Sequence, residues 1–540
     1  MKNNTLEQDS LFVSYKPFIK QKKQIKNVLS DSQIEKFKSY TIEDYQKDVE
    51  LYRLSELWDL ICNYVLASNE NDLLTVNKFG ELYEIGLAIE NKIQKKNNGQ
   101  YYTPEDVANI MSLYFADLEG ENICDVACGT GKLILTYLDL LGKEKVRSLI
   151  LDKKLYLYDL DETALNICKT SILLKYGKDL EHCINIISGD FLSKEIKLPK
   201  NCKVISNPPY ANIKETGFDW QNTKVLNDSK ELYSCFMEKI ITQSSSSVII
   251  TPYSFISGKK FYSLRQIMNN YNGEIFSFDN VPGNIFCGRK HGIFNTNTSN
   301  SVRAAITVVR SDNANGFKLT PLIRFKQTER NNLLKTETLN NFLSDKRQKI
   351  TDKNQMFYKC FKQLQPLYDC LLEKAENHTL ESLVRKSGQF MISMPNTCRY
   401  YTTAFAGSLN RSGQITLYFD DKDIFNYVFC LINSSFTYWH WRLFDGGINY
   451  PASLLMKIPI IWHLLSKDDK EFFATLTDEM IKKASDFIIK KNNVGVQENI
   501  KYPRFYRDKI NQRIVNILGI KVKNEDFDLI HSNMAMELSV

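Results

Sequence analysis

The tetrapeptide Asn207-Pro208-Pro209-Tyr210 places an amide, two ring-locked residues and an aromatic directly after the apolar run Val204 to Ser206. Two successive prolines fix a rigid turn and cannot donate to a sheet ladder, so the turn presents carbonyl acceptors. The Asn207 side-chain oxygen and the Pro208 carbonyl could each take one hydrogen from an exocyclic amine, drawing the nitrogen lone pair out of conjugation and towards an electrophilic methyl. Tyr210 would stack on the ring that carries the amine. No strong base is needed when the nitrogen attacks a sulfonium and loses its proton afterwards, so catalysis reduces to positioning and hydrogen-bond polarisation. Taken alone, such a turn also occurs as plain structure.

Three acids precede it, each after an apolar run. The stretch Asp125-Val126-Ala127-Cys128-Gly129-Thr130-Gly131 leads into a helix near Lys132, and its glycines let a ligand approach the backbone at a helix N-terminus. It lacks the spacing of a phosphate loop and the third glycine of a dinucleotide fingerprint. Asp159 closes the next run and could accept both hydroxyls of a ribose; a helix cap is the alternative, a role open to Asp161 as well. Asp190-Phe191 could serve an adenine ring, with Asp accepting from the amino group and Phe packing on the face, although a strand-end turn fits the same residues. Their succession carries the weight: acids after successive strands line the crevice where open α/β sheets bind ligands.

These residues need elements to hold them. Apolar runs at Ile123 to Val126, Leu155 to Tyr158, Ile184 to Ile187, Val204 to Ile205, Val248 to Ile250 and Ala304 to Val309 alternate with helical stretches, which predicts an α/β fold with a largely parallel sheet. Thr103-Pro104-Glu105-Asp106 offers a capping hydroxyl and a first-turn proline ahead of Val107, Ile110, Met111 and Leu113. Residues 34–96 read as helices, with Leu51, Leu54, Leu57, Leu60 and Ile61 at helical spacing.

Together these residues resemble the gamma-class N6-adenine DNA methyltransferases, in which cofactor motifs precede the catalytic motif and a target-recognition region follows both. Gly99-Gln100-Tyr101-Tyr102-Thr103-Pro104 is similar to the motif that family carries ahead of its glycine loop, and the ordered match runs from Gly99 to Tyr210. The resemblance implies a Rossmann-like class I methyltransferase sheet with helices on both faces, S-adenosyl-L-methionine as cofactor, and double-stranded DNA with a flipped-out adenine as substrate. It assigns Thr103, Asp125 and Gly129 to the methionine part, Asp159 to the ribose, and Asp190 and Phe191 to the adenine ring. Tyr102, Ala127, Cys128, Leu160 and Asn207 join the cofactor contacts, and Asn207 to Tyr210 face the target base. Phe286 would close on that base as a second aromatic, with Phe294 as a competitor. The implied organisation is an N-terminal helical region at 1–98, a methyltransferase domain at 99–327, a helical connector at 328–377 and a target-recognition domain with C-terminal helices at 378–540. In that last part Tyr438, Trp439 and Trp441 resemble a closing aromatic cluster; Arg399, Arg411 and Arg442 reach phosphates or bases, or simply solvent.

Composition sets the frame. With 43% hydrophobic and 25% charged residues the chain is globular. Its net charge of +7 is uneven: −5 over residues 1–200, +11 over 201–400 and +1 over 401–540. A basic middle suits a polyanion, because phosphate neutralisation releases counterions. No apolar run is long enough to span a bilayer and the first residues are polar, so a cytoplasmic, nucleoid-associated protein without membrane contact is expected. Twelve cysteines without paired spacing fit a reducing compartment, and Cys124 and Cys128 read as buried small hydrophobes, so no metal is expected. A specificity or endonuclease subunit is a possible partner in a restriction-modification setting; a solitary epigenetic role is the other. Competing readings are an RNA or protein-glutamine N-methyltransferase and a non-catalytic DNA-binding subunit.

Overall fold

Buried parallel strands are written as short apolar runs, and runs of this kind form the centre of the eight-stranded main sheet. The computed structural model describes residues 29–68, 73–90, 103–213, 220, 222–286, 302–311, 314–351, 355–398, 400–491 and 497–532. Tyr102, Phe294 and Arg399 lie outside them. The chain divides into two compact units, Met1–Ile93 and Gln94–Val540.

In the first unit the described residues form helices at Asp31–Lys38, Ile42–Leu51, Leu54–Ala67 and Val76–Glu90. They pack around Trp58, whose indole N–H donates to the Tyr45 hydroxyl at 3.1 Å while that hydroxyl donates to the Leu82 carbonyl at 2.7 Å. The buried indole is thus satisfied inside an apolar core.

The second unit holds the sheet: β1 (Asn122–Val126), β2 (Leu155–Asp159), β3 (Asn185–Ser188), β4 (Cys202–Ser206), β5 (Ser246–Pro252), β6 (Asn272–Phe278), β7 (Ala304–Ser311) and β8 (Gly316–Leu319). The order is β3-β2-β1-β4-β5-β7-β6-β8. Strands β1 to β5 are parallel, and β7 runs antiparallel between β5 and β6. This is a Rossmann-like class I methyltransferase sheet, with β1 and β4 at the centre where the strand order reverses. The expectation of a largely parallel sheet therefore holds: β6 and β8 run with β1 to β5, and β7 alone is inserted against its neighbours.

Helices cover both faces. Cys124, Val126, Val204 and Ile249 share a core with Met237, Ile240 and Ile241 of the helix Leu232–Gln243. Lys203, one residue out of phase, points to the opposite face. Its ammonium lies over the rings of Phe115 and Tyr137, from the helices Glu105–Ala116 and Lys132–Leu141. It donates to the Phe115 and Leu118 carbonyls at 3.0 and 3.2 Å, closing the C-terminus of the first of these helices. Burial brings the ammonium down to about 8.

Residues 378–540 add a three-stranded antiparallel sheet (Phe390–Pro395 between Phe405–Ala406 and Gln414–Phe419) and a helical core that buries Tyr438, Trp439 and Trp441. These aromatics are core residues, as aromatic clusters usually are. Among the described residues no helix is long and apolar enough to cross a membrane.

Candidate active site

Register fixes the level of the site. Val126 pairs with Tyr158 on β2 and with Ser206 on β4, and Tyr158 pairs with Ile187 on β3. The loops after β1, β2, β3 and β4 therefore leave the sheet side by side, at its carboxyl edge, and carry the four motifs to one crevice.

The loop after β1 turns through Ala127 and Gly129, with φ of 58° and 53°, and Gly131, with φ of 89°. A side chain on Gly131 would collide with Cys168 Sγ at 2.4 Å, so this glycine allows the close approach of the helix Glu162–Tyr176. At Gly129 a Cβ would meet nothing within 4 Å: the backbone faces open space at the start of the helix Lys132–Leu141. Asp125 lies beneath the loop. Its Oδ2 accepts from the Ile134 N–H at 3.1 Å, and its buried Oδ1 has no hydrogen-bond partner among the described residues. Burial pushes the carboxyl well above the usual range, against the pull of that N–H. Cys128 and Cys124 are buried, as expected.

Asp159 faces the loop from β2. Its oxygens accept from the Gly129 N–H at 2.6 Å and the Asp161 N–H at 2.9 Å. Burial raises its pKa while these N–H groups lower it. Each oxygen keeps a second lone pair for a ligand hydroxyl. Asp161, not Asp159, caps the following helix, accepting from the Ala164 N–H at 3.1 Å. Leu160 between them is 74% exposed, a bare apolar surface on the rim.

The loop after β3 departs from expectation. Asp190 accepts from the Leu192 N–H at 3.0 Å through Oδ1 and from the Trp220 indole N–H through Oδ2. A tryptophan downstream of the tetrapeptide thus occupies the acceptor expected to face an amino group. Phe191 is buried, its ring between Tyr158 and Phe236 at centroid distances of 5.8 and 5.3 Å, so that ring packs the core beneath the crevice.

The tetrapeptide leaves β4 at the centre of the edge, where Ser206 Oγ donates to the Val126 carbonyl at 2.6 Å and ties it to β1. Asn207 Nδ2 donates to Thr103 Oγ1 at 2.9 Å, and Asn207 Oδ1 accepts from the Tyr210 hydroxyl at 2.8 Å. That hydroxyl also lies 3.0 Å from the Ile250 carbonyl on β5. The amide is thereby oriented, its NH2 on Thr103 and its oxygen beside the Tyr210 hydroxyl. Thr103 is not the expected cap. The helix begins at Glu105 behind Pro104, and the threonine hydroxyl serves Asn207 instead. Tyr210 meets Phe286 edge to face, with ring centroids 5.9 Å apart. Phe286 is held from behind: Arg330 donates to the Asn284 carbonyl at 2.7 Å and to the Ile285 carbonyl, and pairs bidentately with Asp106. Arg330 and Trp220 carry no motif; only the fold reveals them.

Arg442 reaches neither phosphate nor solvent. The carboxylate of Asp279, just past β6, is buried beneath three guanidinium groups: Arg303 at 2.8 Å, Arg324 at 2.9 Å and Arg442 at 2.9 Å. Burial would raise this acid, but Arg442, Arg303 and Arg324 outweigh it and hold it at about 2. Because Arg442 lies on the helix Ser435–Phe444, this cluster fastens the C-terminal region to the sheet. Tyr253, after β5, adds a bond from its hydroxyl to the Asp445 carbonyl at 2.6 Å. Arg411 turns back on the Gly413 carbonyl at 2.8 Å and on Asn499.

Residues 75–361, just over half of the chain, match the N-6 DNA Methylase family. The chain belongs to that family. Among similar N-6 DNA methylases and their neighbours, the type I restriction enzyme MpnII methylase subunit of Mycoplasma pneumoniae is 27% identical over 188 residues, covering 32% of this chain and 34% of its own length. The rRNA N(6)-adenosine-methyltransferase metl-5 of Caenorhabditis elegans is 26% identical over 131 residues, covering 23% of this chain and 56% of its own. The match thus spans about a third of the first relative and about half of the second. The solved DrdV–DNA complex shares 12% identity over 84% of this chain and 66% of that one, with a TM-score of 0.47.

Proposed function

We propose that this N-6 DNA methylase is a site-specific DNA adenine-N6 methyltransferase, transferring a methyl group from S-adenosyl-L-methionine to a flipped-out adenine, and that it acts in a restriction-modification system. The observation that carries the reading is the Asn207 amide, oriented between Thr103 and Tyr210 at the carboxyl end of β4 with Phe286 opposite the tyrosine. The family supports it, as does the methylase-subunit relative.

The crevice suits the cofactor chemically. Open space before Gly129, an acceptor pair on Asp159 and the bare apolar Leu160 match an amphipathic nucleoside with hydroxyls. Thr103, Asp125, Ala127, Cys128, Gly129, Asp159, Leu160 and Asp190 would hold it; bound there, it supplies a methyl on an electrophilic sulfonium. The chain's own residues do the rest. Asn207 Oδ1 and the Pro208 carbonyl accept the two amine hydrogens, which rehybridises the nitrogen and aims its lone pair. Tyr210 and Phe286 clasp the base, which must leave the duplex because stacking hides its amine from a pocket. Proton loss follows transfer, so no basic side chain is required near Asn207. Phe191 would act through the core, and Asp190 would meet the adenine end only alongside Trp220.

The domain limits 1–98, 99–327, 328–377 and 378–540 belong to this reading, with the last as the recognition region. Double-stranded DNA would be the macromolecular partner and a specificity or endonuclease subunit the protein partner, in the cytoplasm. The ribosomal RNA relative favours a second reading, methylation of an RNA adenine. Incubating the full chain and labelled cofactor with DNA, RNA and protein in separate reactions decides between them: label in DNA supports the proposal, and label in RNA alone rejects it.

A further inference from the structure

The chain has six histidines, and two of them, His378 and His463, meet at the surface with ring centroids 4.5 Å apart. Glu376 joins them, and one ligand atom from each of the three lies within 4.8 Å of the others. From this convergence we infer a site for a divalent transition metal of the zinc type, independent of the methyl-transfer reading.

Three features favour a ligand set over a chance encounter. First, His378 Nδ1 lies 3.0 Å from the Ala375 carbonyl. A carbonyl only accepts, so Nδ1 carries the proton and Nε2 holds the free lone pair. Metal-bound histidines are characteristically oriented in this way, by a second hydrogen bond through the ring nitrogen that does not touch the metal. Second, the Glu376 carboxylate and the His463 ring make no hydrogen bond or ion pair to a described residue, so no other partner explains why they gather here.

Third, the frame is rigid on both sides. Glu376 and Asn377, with φ of 48° and 69°, turn the chain sharply after the helix Gln365–Ala375 and bring Glu376 and His378 to one spot. The next residues pair with the segment that precedes His463: Ile460 N–H donates to the His378 carbonyl at 3.0 Å, and Leu380 N–H to the Ile458 carbonyl at 3.0 Å. His463 then sits on the short turn Trp462–Leu464. These bonds hold the backbone at His378 close to the segment that leads into His463.

Ligands about 2.0–2.2 Å from a tetrahedral metal stand roughly 3.4 Å apart, a closure that side-chain rotation supplies from the present spacing. Two imidazoles and a carboxylate suit zinc, nickel or cobalt, and not magnesium, which prefers oxygen ligands and keeps its water. Three protein ligands leave a fourth position for water or for a group from a partner. Occupied, the site would staple the end of the helix Gln365–Ala375 to the C-terminal region. Local spacing does not reveal this set, because His463 lies far along the chain from Glu376 and His378.

The test uses full-length protein stripped with chelator and dialysed. Titration calorimetry with zinc is expected to give one equivalent per chain, and thermal melts a rise of a few degrees that magnesium does not produce. His378→Ala and His463→Ala should each weaken binding at least about ten-fold; both residues are exposed, and circular dichroism confirms that the variants fold. Cobalt supplies the discriminating readout, because the chain also has twelve cysteines. A cobalt spectrum without thiolate charge transfer that disappears in the double variant supports the site. No zinc binding by wild-type protein overturns the inference, as does a thiolate spectrum, or undiminished binding by the double variant.

Discussion

Asp125 and Asp279 are buried carboxylates on the same sheet, and their surroundings treat them oppositely. Asp125, at the centre, meets a single backbone N–H and no cation among the described residues, so burial raises it. Asp279, towards the far edge, meets three guanidinium groups and is held at about 2. Burial penalises both charges equally in kind; the difference is whether fixed opposite charge was built in to offset it. The β1–β4 half of the sheet is assembled from dipoles, N–H groups and acceptors, which leaves capacity for a ligand. The β6 end is assembled from ion pairs, which fasten one part of the chain to another.

That contrast yields tests in which turnover and stability separate. Asn207→Ala, which removes an acceptor from the crevice, should lower kcat for methyl transfer by about 10² to 10³ while thermal stability and cofactor binding stay close to wild type. A large drop in melting temperature would show that the tetrapeptide is structural. Asp279→Asn should do the reverse. Leaving three buried guanidiniums without their anion should cost about 3 kcal/mol in urea unfolding at neutral pH. Because the folded Asp279 carboxyl is depressed, its contribution is present above the ordinary value of about 3.9 and is lost as pH falls towards 2. The gap between wild type and variant should close over that interval.

Smaller effects sharpen the picture. Tyr210→Phe keeps the stacking ring but removes the hydroxyl that touches Asn207 and Ile250, worth about 1 kcal/mol, so a fall in the single-turnover rate of about five-fold is expected. Asp125→Asn should change stability by less than about 1 kcal/mol, since an amide oxygen still accepts from Ile134. Its sign is informative. The native carboxyl is raised, so its contribution is full at low pH and declines as pH climbs through the raised value. The uncharged variant should therefore be at least as stable as wild type at neutral pH in denaturant titrations, and a marked loss there would equate Asp125 with Asp279.

The two regions also differ in how far the sequence discloses them. Strands β1, β2 and β4 stand out as short apolar runs, and the motifs sit at or directly after their carboxyl ends, so the crevice is legible from local pattern. Strand β6 escaped because Gly273 and Glu274 interrupt its apolar run; Glu274 is accommodated by Arg310 from the adjacent strand, at 2.8 Å. The Asp279 cluster joins residues from four separate places in the chain, and no local spacing encodes such a meeting. Thr103 was misread for a related reason. A hydroxyl before proline and two acids is a sound helix start, but a partner far along the chain took the hydroxyl. Trp220 on Asp190 is the same kind of long-range event.

The three-arginine weld also bears on any attempt to graft a foreign C-terminal region onto this catalytic half. An incoming segment that lacks a guanidinium at the position of Arg442 would leave Asp279 short of one counter-charge and cut one bond to the Leu322 carbonyl. Domain exchange here is thus an electrostatic matching problem before it is one of sequence recognition. Successful chimeras should be those whose donors carry their own arginine across the seam.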